Sequence, residues 1–223
     1  MQSNSIEKNQ IIDLNNISTE FANISSFDTA LFYANKILVL SEKRNHQYGI
    51  GISYMLMGET FFNKGELYQS LEYRLKALKI IDSSPRLLIG IASTYSNLSR
   101  YTEAMNYGLR ALRIAEMKGN KPSTRFALIT VGNVHFKQKN YDLAVEYFSK
   151  ALKIDTELGN KKSFCLDYMG IGNVYLEKKE YLKSYDFYSK ALKIAEGFED
   201  KILISKCLLD IGSVYTEQNK YAS

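Results

Sequence analysis

The stretch Val131–Ile154, VGNVHFKQKNYDLAVEYFSKALKI, decides the fold. Its large apolar residues recur at spacings of three, four and seven, which puts them on one face of a helix. The pattern breaks once, at Lys139-Asn140, so the stretch reads as two short amphipathic helices joined by a turn. Ile171–Ile194, IGNVYLEKKEYLKSYDFYSKALKI, repeats it 40 residues later. A single hairpin of this kind cannot bury its apolar stripe, so repeated hairpins must stack on one another.

The register extends outward in both directions. Small residues recur at Ser18, Gly58, Ala92, Gly132, Gly172 and Gly212, at intervals of 40, 34, 40, 40 and 40. An aliphatic residue precedes each: Ile17, Met57, Ile91, Val131, Ile171 and Ile211. Three positions after each comes Phe21, Phe61, Tyr95, His135, Tyr175 or Tyr215, and nine after comes Phe27, Leu67, Tyr101, Tyr141, Tyr181 or Tyr221. Twelve after, a second small residue appears at Ala30, Ser70, Ala104, Ala144 and Ser184. The small residues belong where two helices cross closely, and the large ones fill the gap to the next hairpin. Second helices close on Ala-Leu-x-Ile, as at Ala151-Leu152-Lys153-Ile154.

On these residues the chain resembles the tetratricopeptide repeat family, whose unit of about 34 residues places small and aromatic residues in this order. The resemblance covers about residues 11–223 and implies an all-α fold, a right-handed α-solenoid of stacked helix-turn-helix hairpins. Units are expected at 11–50, 51–84, 85–124, 125–164 and 165–204, with a partial unit at 205–223, all in one solenoid. Residues 1–10 are polar and expected to be disordered. The family's common Trp is replaced by Leu14, Tyr54, Leu88, Leu128, Tyr168 and Leu208, and most units are 40 residues long. Gly119-Asn120 and Gly159-Asn160 are expected helix C-caps. Pro85 and Pro122 fall near helix starts, where a missing N–H does no harm. The first unit, with Ala34 and Ile37 at positions normally aromatic and Ala, is degenerate and reads as a cap. The chain stops at Tyr221-Ala-Ser, where a second helix is due, so a longer parent protein is expected.

Composition agrees with this class. Of 223 residues 45% are apolar, which is enough for a continuous core, and two prolines suit long helices. The net charge of +5 comes from interspersed charges and is weak support for a nucleic-acid or membrane ligand. No apolar run has the length of a signal peptide or a membrane span. Cys165 and Cys207 show no metal-type spacing and read as packed thiols in a reducing compartment, the cytoplasm.

The resemblance implies that first helices line a concave groove, contacted from the second, fifth, ninth, twelfth and thirteenth positions of each unit. These are Ile52, Met55, Glu59, Phe62 and Asn63, then Arg86, Ile89, Ser93, Ser96 and Asn97. The central units give Phe126, Ile129, Asn133, Phe136 and Lys137, then Leu166, Met169, Asn173, Leu176 and Glu177. Asn133 and Asn173 each donate and accept, so together they can hold the backbone of an extended peptide. Apolar pockets between them would take its side chains. The plainer reading is that Gly-Asn is simply the family's consensus there. A carboxylate clamp of the chaperone-binding kind is not expected, since the fifth positions (Asn15, Met55, Ile89, Ile129, Met169, Leu209) offer no cation.

Pairs Lys76/Lys79, Arg110/Arg113, Lys150/Lys153 and Lys190/Lys193 share a face of each second helix. They form either a basic ridge for an acidic partner or a solvated face neutralised by neighbouring acids. Catalysis is not expected. His135 occupies a core aromatic position, no His is placed to activate a thiol, and no phosphate-binding Gly loop, cofactor or metal site is implied. The expected function is a protein-interaction scaffold binding a peptide or protein segment. The alternative is the sensor region of a larger bacterial signalling protein with a histidine kinase, cyclase or transcription-regulator output. Self-association through the open C-terminal flank is a further expectation.

Overall fold

The computed structural model describes Glu20 and residues 26–220. Among these are ten α-helices and no strand: α1 Phe27–Glu42, α2 Gln47–Asn63, α3 Leu67–Leu78, α4 Pro85–Asn97, α5 Tyr101–Met117, α6 Lys121–Lys137, α7 Tyr141–Leu158, α8 Lys161–Glu177, α9 Tyr181–Gly197 and α10 Lys201–Lys220. This is the all-α hairpin array expected of the repeat pattern. The expected disorder of residues 1–10 and the first unit's Ser18 and Phe21 lie outside the described residues, as does Tyr221. The chain divides into two compact units, 1–114 and 115–223, with the boundary inside α5.

In the first unit α1 packs on α2, α2 on α3, and α3 on α4; in the second α6 packs on α7, α7 on α8, α8 on α9 and α9 on α10. First helices also meet directly, α2 with α4 and α8 with α10. The turn inside each hairpin passes through a left-handed residue at one register position: Gly65, Ser99, Lys139 and Lys179, with φ of 86°, 59°, 62° and 61°. Four of the five described turns between hairpins do the same, at Asn45, Gly119, Gly159 and Glu199, and the α3–α4 turn does not. Beyond Lys139, Asn140 N–H donates to the His135 carbonyl at 2.9 Å, closing the helix end. Of the expected C-caps, Gly159 closes α7 in the left-handed conformation, but Asn120 and Asn160 are instead the N-caps of α6 and α8, because each stands one residue before the next helix begins. The Ser123 N–H donates to Asn120 Oδ1 at 3.0 Å, and ahead of Pro85 the Leu87 N–H donates to Ser84 Oγ.

The small-to-large alternation is realised atom by atom. A Cβ added to Gly132 would lie 2.8 Å from the Phe148 ring, and one on Gly172 would lie 2.7 Å from the Tyr188 ring. Where the second small residue is Ser, its hydroxyl donates to the carbonyl of the first: Ser70 to Gly58 at 2.7 Å and Ser184 to Gly172 at 2.9 Å. One aromatic pair recurs in four hairpins, each stacked at 5.3–5.6 Å: Phe61–Tyr73, Tyr95–Tyr107, His135–Tyr147 and Tyr175–Phe187. His135 therefore serves as a packed ring, and burial holds its pKa below the usual value.

Candidate binding face

Within the second unit, the groove positions named from the register divide by depth. Phe126 and Leu166, at the same position of α6 and α8, are 55% and 51% exposed. Asn133, Lys137, Asn173 and Glu177 are exposed with them. Ile129 and Phe136 are half-buried and pack on Phe148, Ile171 and Val174, while Leu176 packs on the cluster around Tyr188. Met169 is buried in that cluster beside Cys165. It supports the face from beneath and does not line it. The two asparagines also differ. Tyr188 donates its hydroxyl to Asn173 Oδ1 at 2.5 Å, whereas the matching side chain beneath Asn133 is Phe148. Asn173 thus has its acceptor engaged and its two N–H donors left over. Next to Leu166 lies an open cleft of about 380 Å³ lined by Asn160, Lys162, Ser163, Leu166, Asp200, Ile202 and Leu203. A Lys162–Asp200 ion pair at 2.7 Å crosses its wall.

In the first unit Arg86 is exposed and pairs with Glu59 at 2.8 Å. Phe62 and Ile89 are half-buried, and Met55 is buried in the core. The Phe62 ring covers the guanidinium of Arg74, 4.9 Å from the ring centre.

Two buried polar groups were not singled out from the sequence. The first is Arg74. The second joins three helices of the second unit. Arg125 of α6 donates through Nε to Asp155 of α7 and through Nη2 to Asp167 of α8, the latter at 3.2 Å. All three side chains are buried. Asp155 Oδ1 and Asp167 Oδ2 have no protein partner. Burial, and then hydrogen bonding with Asp155, push the Asp167 carboxyl up to about 7. One proton shared between the carboxylates relieves both orphaned oxygens, since two buried anions face one cation. The Arg125 guanidinium also lies under the Phe126 ring, at 5.1 Å, so this group holds the most exposed aromatic of the face in place. One repeat later the same three positions carry Cys165, Ala195 and Cys207. The two buried thiols meet there at 3.9 Å, and burial raises both pKa values, that of Cys207 to about 12.

Three of the four leading cations of the outer ridge are matched by acids one turn earlier, Lys76 with Glu72, Lys150 with Glu146 and Lys190 with Asp186, each at 2.6 Å, while Arg110 donates to the Asp82 carbonyl at 2.9 Å. Each of these three lysines also sits over the recurring ring pair, on Tyr73, Tyr147 or Phe187. Among the described residues no group of three or more His, Cys, Asp and Glu is placed to hold a metal ion. No helix there is long and apolar enough to cross a membrane.

Models of the tetratricopeptide repeat match residues 83–157 and 168–198. Among solved structures, the chain is similar to a signal transduction ATPase with a tetratricopeptide repeat sensor from Pyrococcus horikoshii (19% identity over 93% of this chain, TM-score 0.71). It is also similar to aspartyl phosphate phosphatase F from Bacillus subtilis (18% over 92%, TM-score 0.77). A third likeness is to pilF of Pseudomonas aeruginosa (16% over 97% of this chain and 99% of that one, TM-score 0.67). The chain spans 33% of the first of these proteins and 55% of the second. No curated protein matches. At these identities the likeness is one of fold.

Proposed function

The chain is a tetratricopeptide repeat protein, and from that premise we propose that it binds an extended peptide or protein segment on the first-helix face of its repeats. The observation that carries this reading is the pair Phe126 and Leu166. A fold that buries Phe148 and Tyr188 at 5% and 0% leaves these two large side chains half in water, at one register position, 40 residues apart. Asn133 and Asn173 stand beside them with amide groups available to a peptide backbone. The role is that of a scaffold. Its chemistry is burial of apolar side chains and hydrogen bonding, with no catalytic step.

The test is a comparison of partners captured by the wild type and by the Asn133→Ala/Asn173→Ala double variant, with Lys153→Ala on a second helix as control. Loss of capture in the double variant alone supports the face. Identical capture by all three counts against it.

A second reading is that these repeats are the sensor region of a longer signalling protein, as in the Pyrococcus horikoshii signal transduction ATPase with its tetratricopeptide repeat sensor. The side chains of Ile202, Leu208, Leu209 and Tyr215 on α10, 80%, 52%, 72% and 51% exposed, favour it as a surface for further helices or a second copy. Reading the gene past Ser223 separates the two: a stop codon there removes the sensor reading in its C-terminal-output form.

A further inference from the structure

We infer that Arg74 is the floor of an anion pocket on the first-helix face of the first unit, and that it takes the side-chain carboxylate of an acidic residue in the bound segment. This rests on the groove reading above and adds to it the charge of one partner residue.

The repeats supply their own control. The position filled by Phe148 and Tyr188 in the second unit reads Ala34, Arg74 and Gly108 in the first, and Arg74 is buried to the same degree as those rings, with 6% exposed. Glycines on both sides admit it. A Cβ on Gly58 would lie 2.5 Å from Arg74 Cγ, and one on Gly90 would lie 2.9 Å from Cζ. One terminal nitrogen, Nη1, donates to the Gly90 carbonyl and, at 2.7 Å, to Thr94 Oγ1. Phe62 covers one face of the guanidinium. Nε and Nη2 have no acceptor among the described residues, and no carboxylate is bonded to the group.

The nearest acid, Glu59, gives its oxygen to Arg86. Two guanidiniums therefore share one carboxylate, which leaves a net positive site. Arg125, the other buried arginine, shows what this fold does when pairing is internal: it is met by two aspartates.

A buried guanidinium without a counter-ion is costly, and arginine cannot escape by losing its proton. Burial lowers its pKa to about 10, which still leaves the charge in place at neutral pH. A carboxylate reaching Nε and Nη2 would form the charge-assisted, two-point contact for which that edge of a guanidinium is shaped. Because the group lies below the surface, a side chain on its own stem reaches it, while a chain terminus lying on the face does not.

The test follows the ¹⁵Nε–Hε resonance of Arg74 in the full chain. Three small probes are titrated: the α-amide of N-acetylglutamic acid for a side-chain carboxylate, N-acetylglycine for a terminal one, and N-acetylglutamine amide as the neutral control. Arg74→Phe, which installs the residue of the second unit, assigns the resonance by its loss. Arg74→Lys gives the same assignment with the charge kept. The expected result is a saturable shift with the glutamate probe, a weaker one with N-acetylglycine and none with the neutral probe. The glutamate affinity should fall at least tenfold in Gly90→Ala, which crowds the guanidinium. A shift that is linear, as for the exposed Arg113, or equal for all three probes overturns the pocket. The groove reading would survive that outcome, since the asparagine variants test it separately.

Discussion

Replacing Asp167 by Asn should remove a specific pH dependence from the second unit. In the folded chain the Asp167 carboxyl titrates at about 7; unfolded, it returns to about 3.9. Between these values the folded state holds a proton that the unfolded state does not, so stability is highest on the acid side and is lost as pH rises toward 7. The slope is at most about 1.4 kcal/mol per pH unit. Between pH 5 and pH 8 the loss from this one group is therefore about 3 kcal/mol. Asn reproduces the protonated carboxyl, offering an oxygen to Arg125 and an N–H to Asp155, and it carries no charge. His135 works in the opposite direction, because burial depresses its pKa and its neutral form is lost as pH falls. The quantity to read is thus the difference between Asp167→Asn and wild type, from which His135 cancels. Urea unfolding followed by helical circular dichroism at pH 5, 6, 7 and 8 should show the variant gaining on the wild type by about 3 kcal/mol across the series. A difference that does not change with pH refutes the shared-proton account.

Other substitutions follow from the same packing. Arg125→Met leaves two buried carboxylates without their cation and should cost about 3–5 kcal/mol at pH 8, read by the same urea titration. Gly132→Ala and Gly172→Ala drive a methyl to within 2.8 Å and 2.7 Å of a ring and should destabilise by about 1–3 kcal/mol. Gly170→Ala meets nothing nearer than 4.0 Å, so helix propensity should govern and raise stability by roughly 0.5–1 kcal/mol; thermal melts of the three variants give the contrast. Cys165 and Cys207 are fully buried with raised pKa values, so a disulfide reagent at pH 8 should label neither thiol in the native chain and both in urea. Labelling of the native chain at the rate of a free thiol would contradict that packing.

The hairpins were legible because the repeat samples each structural slot several times. Gly132 and Gly172, the ring at His135, and the turns at Gly119 and Gly159 all stand where the spacing puts them. The groove positions could be named from register, but their depth could not. Met55 and Met169 share a position with Ile89 and Ile129, yet the methionines are buried and the isoleucines only half so. The buried polar groups escaped notice because each is spread over distant parts of the chain. Arg125 and Asp167 are 42 residues apart, as are Cys165 and Cys207. Their common slot shows only when the positions are superposed 40 residues on. Arg74 carried a signal of its own, a charge in a column that otherwise reads Ala34, Gly108, Phe148 and Tyr188.

The central claim is that the first-helix face is the binding surface. The measurement that addresses it most directly is amide chemical-shift mapping of the full chain with a peptide selected on it from a random library. The account predicts shifts concentrated at Phe126, Asn133, Leu166 and Asn173, abolished in Asn133→Ala/Asn173→Ala. Shifts concentrated instead on the outer second-helix positions Lys150, Lys153, Lys190 and Lys193, unchanged by the asparagine substitutions, would contradict it.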